Sequence, residues 1–92
     1  MIVLLEVIAE RKQCKTCVKG FCEIPPPDTE GILQVGNKVI NDLTEIKVGE
    51  TIAVLALDNL VLTKPIESLR LVDSGTLEFI TKTVSYRLTI KE

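Results

Sequence analysis

The most regular pattern lies near the end of the sequence. Leu77, Phe79 and Thr81 alternate with Glu78 and Lys82; after a short break Val84, Tyr86, Leu88 and Ile90 alternate with Ser85, Arg87, Thr89 and Lys91. A period of two sends successive side chains to opposite faces, so these segments predict two strands with one apolar and one wet face. Residues 66–72 predict a third, with Leu69 and Leu71 facing one way and Arg70 the other, ended by an Asp73-Ser74-Gly75 turn.

Earlier in the chain, residues 32–35 and 38–40 flank Gly36-Asn37, which suits a tight hairpin because glycine accepts positive φ at no steric cost. Asn41 can cap one helical turn running through Asp42, Leu43, Thr44, Glu45 and Ile46, after which Gly49 opens the next strand. Residues 51–57 are apolar on both faces, the pattern of a central strand covered on two sides. Asp58-Asn59 reads as a turn into a strand over 60–63, and Pro65, lacking an N–H, is barred from an interior ladder position. Residues 2–9 are apolar apart from Glu6 and predict a buried strand.

Five to seven short strands without a long helix predict a mainly β fold, with residues 1–92 as a single domain. The expected architecture is a small antiparallel barrel, SH3-like or similar, or a compact sandwich. The barrel is preferred because closure removes exposed strand edges. Residues 11–30 interrupt this plan as an inserted, Cys- and Pro-containing loop after the first strand. Apolar periodicity is lost there, and Pro25-Pro26-Pro27 forms a stiff extended spacer. Connections of that length in small domains tend to be functional, cross-linked or disordered.

Composition changes this picture in two respects. Phe21, Phe79 and Tyr86 are the only aromatics in 92 residues that are 46% hydrophobic, so the core must be built from Val, Ile and Leu. The formal net charge of −2 conceals a segregation: residues 11–22 hold Arg11, Lys12, Lys15 and Lys19 with no acid, while the other seven basic and thirteen acidic residues total −6. No basic stretch precedes the apolar run at residues 2–9, which is far shorter than the ~20 residues of a bilayer span. A cytoplasmic protein without membrane association is expected.

The chemistry that the sequence offers is concentrated in Cys14, Cys17 and Cys22. Two thiolates separated by two residues can converge on one soft metal ion such as zinc, and Gly20 lets Cys22 join as a third ligand. A structural zinc site needs a fourth donor, and the chain has no histidine; Glu23, Asp28, water or a second subunit would have to supply it. A disulfide, Cys14–Cys22 or Cys17–Cys22, is the competing reading, and three reduced, inert cysteines are the third.

Without histidine, Ser-His and Cys-His catalysis is excluded, and the carboxylate pairs Asp42 with Glu45 and Asp28 with Glu30 more often belong to solvated turns than to acid/base sites. The expected function is a small non-enzymatic interaction module. Its cross-linked loop would present Arg11, Lys12, Lys15, Lys19 and Phe21 to a protein partner or to a second copy. The alternative is a nucleic-acid-binding barrel, in which the same cations contact phosphates and Phe21 stacks on a base. A thiol redox protein comes third.

Overall fold

In the computed structural model, which describes residues 1–10, 17–18, 21–22, 29–57 and 59–91, nine strands follow one another along the described chain. They are β1 (Ile2–Glu10), β2 (Cys17–Val18), β3 (Phe21–Cys22), β4 (Thr29–Val35), β5 (Ile52–Leu55), β6 (Leu60–Leu62), β7 (Ser68–Asp73), β8 (Thr76–Ile80) and β9 (Val84–Ile90), with one 3-10 turn at Leu43–Glu45. They form one sheet in the order β2-β3-β6-β5-β4-β1-β9-β8-β7. The seven longer strands pair antiparallel throughout, and only β3 joins its neighbour β6 in parallel.

The alternation read from the sequence determines which side of each strand is buried. Val3 and Leu5 of β1, Leu33 and Val35 of β4, and Ile52 and Val54 of β5 share one face with Leu77, Phe79, Val84, Tyr86 and Leu88 of β8 and β9, all at most 2% exposed. Phe79 lies opposite Tyr86 across the β8–β9 ladder, and their rings stack with centroids 4.9 Å apart. One sheet therefore supplies one core from one face, which requires it to wrap around itself. The segment between β6 and β7 makes the crossing. Ile66, 2% exposed, donates to Glu50 O (2.9 Å) and accepts from Gly49 N (2.8 Å), and Glu67 N donates to Ile80 O (2.8 Å). The mainly β expectation holds, but among the described residues β6 and β7 do not pair, so the strand ladder is not closed into a barrel.

Several local expectations shift. Gly36 (φ 56°) and Asn37 (φ 69°) form the expected tight turn, with paired bonds between Val35 and Lys38 (2.8 and 3.1 Å). Residues 38–40 contribute only that single bridge instead of a strand. β1 already occupies that edge of β4 as far as Ile32, while β5 takes the other edge through Val35 opposite Ile52. The chain leaves the sheet and turns Ile40, Leu43 and Ile46 into the core. Asp42, not Asn41, is the cap: its carboxylate accepts from Thr44 N (2.9 Å), and Glu45 Oε2 accepts from Asp42 N (3.0 Å).

Of the expected Asp58-Asn59 turn, Asp58 lies outside the described residues. Ala56 N donates to Asn59 O (3.0 Å), and Leu57 stands fully exposed. β7 runs from Ser68 to Asp73, because the preceding residues belong to the crossing. The inserted loop is shorter than 11–30, since Thr29 and Glu30 already pair with Leu5 and Leu4, and it contains β2 and β3. Among the described residues no helix is long and apolar enough to cross a membrane.

At Gly31 the buried backbone of β4 passes so close to β5 that an added Cβ would overlap the Leu55 carbonyl oxygen and lie 2.6 Å from its carbon. Both obstacles are main-chain atoms, so relief requires moving a strand. Gly31→Ala is expected to lower the unfolding free energy by about 1–3 kcal/mol in urea titrations.

Candidate functional site

The cysteine segment attaches to the β6 edge of the sheet. β3 pairs with β6 through Phe21 opposite Leu60 and Cys22 opposite Val61. β2 then pairs antiparallel with β3, with Cys17 opposite Cys22 and Val18 opposite Phe21. Directly opposed residues in an antiparallel ladder have Cα atoms about 4.5–5.5 Å apart, inside the window that a disulfide spans. The backbone thus brings together two of the three cysteines. Arg11, Lys12, Cys14, Lys15 and Lys19 lie outside the described residues, and Phe21 is placed by its backbone register alone. Among the described residues no group of three His, Cys, Asp or Glu side chains could hold a metal ion.

The carboxylate pair Asp42 and Glu45 is occupied structurally. Asp42 Oδ1 accepts from both the amide and the hydroxyl of Thr44 (2.9 Å each), and Glu45 Oε2 accepts from Asn41 N and Asp42 N (3.0 Å each). The backbone hydrogen bond from Thr44, followed by its hydroxyl, holds the Asp42 carboxyl below its ordinary range. These groups cap a turn. Asp28, the proposed partner of Glu30, lies outside the described residues.

Sequence reasoning did not anticipate how the outer face of the sheet is divided. Across β7, β8, β9 and β1 a transverse row runs Arg70, Glu78, Arg87, Glu6, with charges alternating in cross-strand register. Glu78 accepts from Arg70 Nη2 (2.7 Å) on one oxygen and from Arg87 Nε and Nη2 (3.1 and 3.0 Å) on the other. The Arg70 hydrogen bond, followed by that of Arg87, lowers the Glu78 pKa. Across β1, β4, β5 and β6 a second row runs Ile2, Ile32, Leu55, Leu60. Counting outward from the Ser74-Gly75 turn, where Asp73 faces Thr76, would have set Arg70 opposite Phe79; an irregularity between Leu71 and Asp73 shifts the register by one and brings Arg70 opposite Glu78. The second row required knowing that nothing described covers β5.

No protein-family model, curated protein or solved structure matches the chain.

A carboxylate with a lowered folded-state pKa adds stability above its unfolded value, and that contribution disappears as pH falls through the folded value. Glu78→Gln is therefore expected to lower the thermal midpoint at pH 7. The gap to the parent chain should close once pH drops below the lowered Glu78 pKa, in melts followed by circular dichroism. A gap that persists there would mean that Glu78 acts through packing and not through charge.

Proposed function

We propose that the chain is a small, barrel-like, non-enzymatic interaction module. Its basic cysteine hairpin, fixed by a covalent or metal cross-link and added to the β6 edge, presents a cationic surface to a protein partner or a second copy. The observation that carries this reading is the β2–β3 register, in which Cys17 faces Cys22. That register favours a Cys17–Cys22 disulfide, because Cys17 occupies the position directly opposite Cys22.

The electrostatic half of the reading rests on sequence. The +4 of residues 11–22 is held on a chain whose remainder is −6, so the hairpin segment differs in sign from the sheet to which it docks. An acidic surface is what this segment would recognise, by charge-assisted contacts that weaken with salt.

Intact mass before and after alkylation, without reduction, tests the cross-link. The expected species is two hydrogens lighter than the reduced chain and alkylates once, at Cys14. Stoichiometric zinc retained in native mass spectra would assign the cross-link to Cys14, Cys17 and Cys22 together. Three alkylatable thiols with no bound metal would overturn the reading. For the disulfide form, Cys22→Ser should lower the unfolding free energy by about 2 kcal/mol, the loop-closure value for so short a loop.

A further inference from the structure

The sheet ends differently at its two margins. Beyond β6 the ladder continues into β3 and β2, whereas β7 pairs only with β8 among the described residues. Five of the six residues of β7 are exposed. Leu71 lies opposite Leu77 and therefore faces the buried side, where Leu77 is 1% exposed. Leu71 itself remains 43% exposed, because no described strand flanks it, and Val72 beside it is 47% exposed. The outer flank of such a strand carries a row of N–H and C=O groups open to a further strand.

The irregularity between Leu71 and Asp73 arranges the charges of this edge. Arg70 lies opposite Glu78 and Asp73 opposite Thr76, and Thr76 and Glu78, two apart on β8, share the outward face. In a regular strand residues 70 and 73 would point to opposite faces; the extra residue puts both on the outward one. Arg70 reaches Glu78 through Nη2 (2.7 Å), and Asp73 accepts from Gly75 N through Oδ1 (2.8 Å). Nη1 of the guanidinium and Oδ2 of the carboxylate have no partner among the described residues.

We propose that β7 is the contact between two copies of the chain, which pair antiparallel, edge to edge, and join their sheets. The inference goes beyond the cysteine hairpin and does not depend on it. What selects a second copy is the order of charge along the strand. A two-fold axis perpendicular to the sheet, passing between residues 71 and 72, sets each Arg70 opposite the partner's Asp73. Leu71 and Val72 of one copy then face Val72 and Leu71 of the other. Both strands carry the same extra residue, so two positions meet two and the register needs no further irregularity. Charge on an edge strand repels most incoming strands and admits one that brings the opposite charges in the opposite order, which an antiparallel β7 does. Main-chain hydrogen bonds supply the attachment, and the two ion pairs supply the register.

Sedimentation of the full chain across a concentration series in reductant, with amide hydrogen exchange over the same series, tests the proposal. The wild-type chain should dimerise reversibly, and exchange at residues 70–73 should slow as the dimer forms. Val72→Lys should weaken dimerisation by about tenfold, since an edge lysine resists strand addition. Arg70→Glu and Asp73→Lys should each weaken it by about tenfold or more, because each sets like charges opposite one another twice. An equimolar mixture of those two chains should dimerise like the wild type, because every facing pair is then of opposite sign. Leu57→Lys, at a fully exposed position after β5, should change nothing. Circular dichroism identifies the variants that fold as the parent does; should Arg70→Glu unfold for want of its bond to Glu78, Val72→Lys still decides.

A wild-type chain that stays monomeric to about 1 mM overturns the proposal, as does a dimer whose exchange at residues 70–73 is unchanged. A Val72→Lys chain that dimerises like the parent overturns it too, as does a mixture of the two folded charge variants that stays monomeric. None of these outcomes bears on the cysteine cross-link, which intact mass reports separately.

Discussion

The wrapped shape depends on the five residues that carry the chain from β6 to β7. A sheet with one apolar face can bury it only by folding over, and its outermost long strands must then be held near each other. Thr63 begins the crossing by donating its amide to Ile52 O (3.0 Å) while its hydroxyl accepts from Ile52 N (3.1 Å). Pro65 follows, where no donor is required, and Ile66 inserts its side chain into the core while its backbone bonds Gly49 and Glu50. Glu67 then reaches Ile80 at the far end of the sheet. These bonds bridge the open ladder at one end, and the stacked Phe79 and Tyr86 rings fill the enclosed space.

Much of this was legible because period-two patterning is a direct consequence of strand geometry. The alternation over β8 and β9, the Gly36-Asn37 turn and the exclusion of Pro65 from the ladder all follow from single-residue stereochemistry. What was not legible concerns competition between segments. Residues 38–40 have strand character, but β1 occupies the edge they would need. Residues 51–57 are apolar on both faces, and the pattern states only their preference. The absence of any described layer over Leu55 and Leu57 is a property of the whole fold. The cysteine segment was recognisable by composition, yet two-residue strands have no period to read, so the Cys17–Cys22 register is visible only in the folded β2–β3 pair.

The two halves of the outer face represent two solutions to the same steric situation. On β7–β9 the outward positions are filled with groups that satisfy one another: Glu78 shares its two oxygens between two guanidinium groups, and the Asp73 carboxylate closes its turn by accepting from Gly75 N (2.8 Å). On β4–β6 the outward residues Ile32, Ala53, Leu55, Leu60 and Leu62 are aliphatic, with Glu30 and Gln34 beside Ile32 on β4. Cross-strand ion rows suit an edge that must remain soluble, since charge on a peripheral strand opposes unwanted pairing. Beyond β6, where the sheet would otherwise end in Leu60, Val61 and Leu62, β3 and β2 continue it.

The position of β1 has a temporal meaning as well as a spatial one. Its neighbours are β4 on one side and β9 on the other, with Val3 opposite Ile90. During synthesis β1 emerges before either flank, and β9 follows only after β4 to β8. β4 through β9 must be present before β1 is enclosed on both sides. Such long-range pairing places this protein among the slow-folding topologies, in the millisecond-to-second range. Until then Val3 and Leu5 lack the neighbours that bury them in the finished sheet.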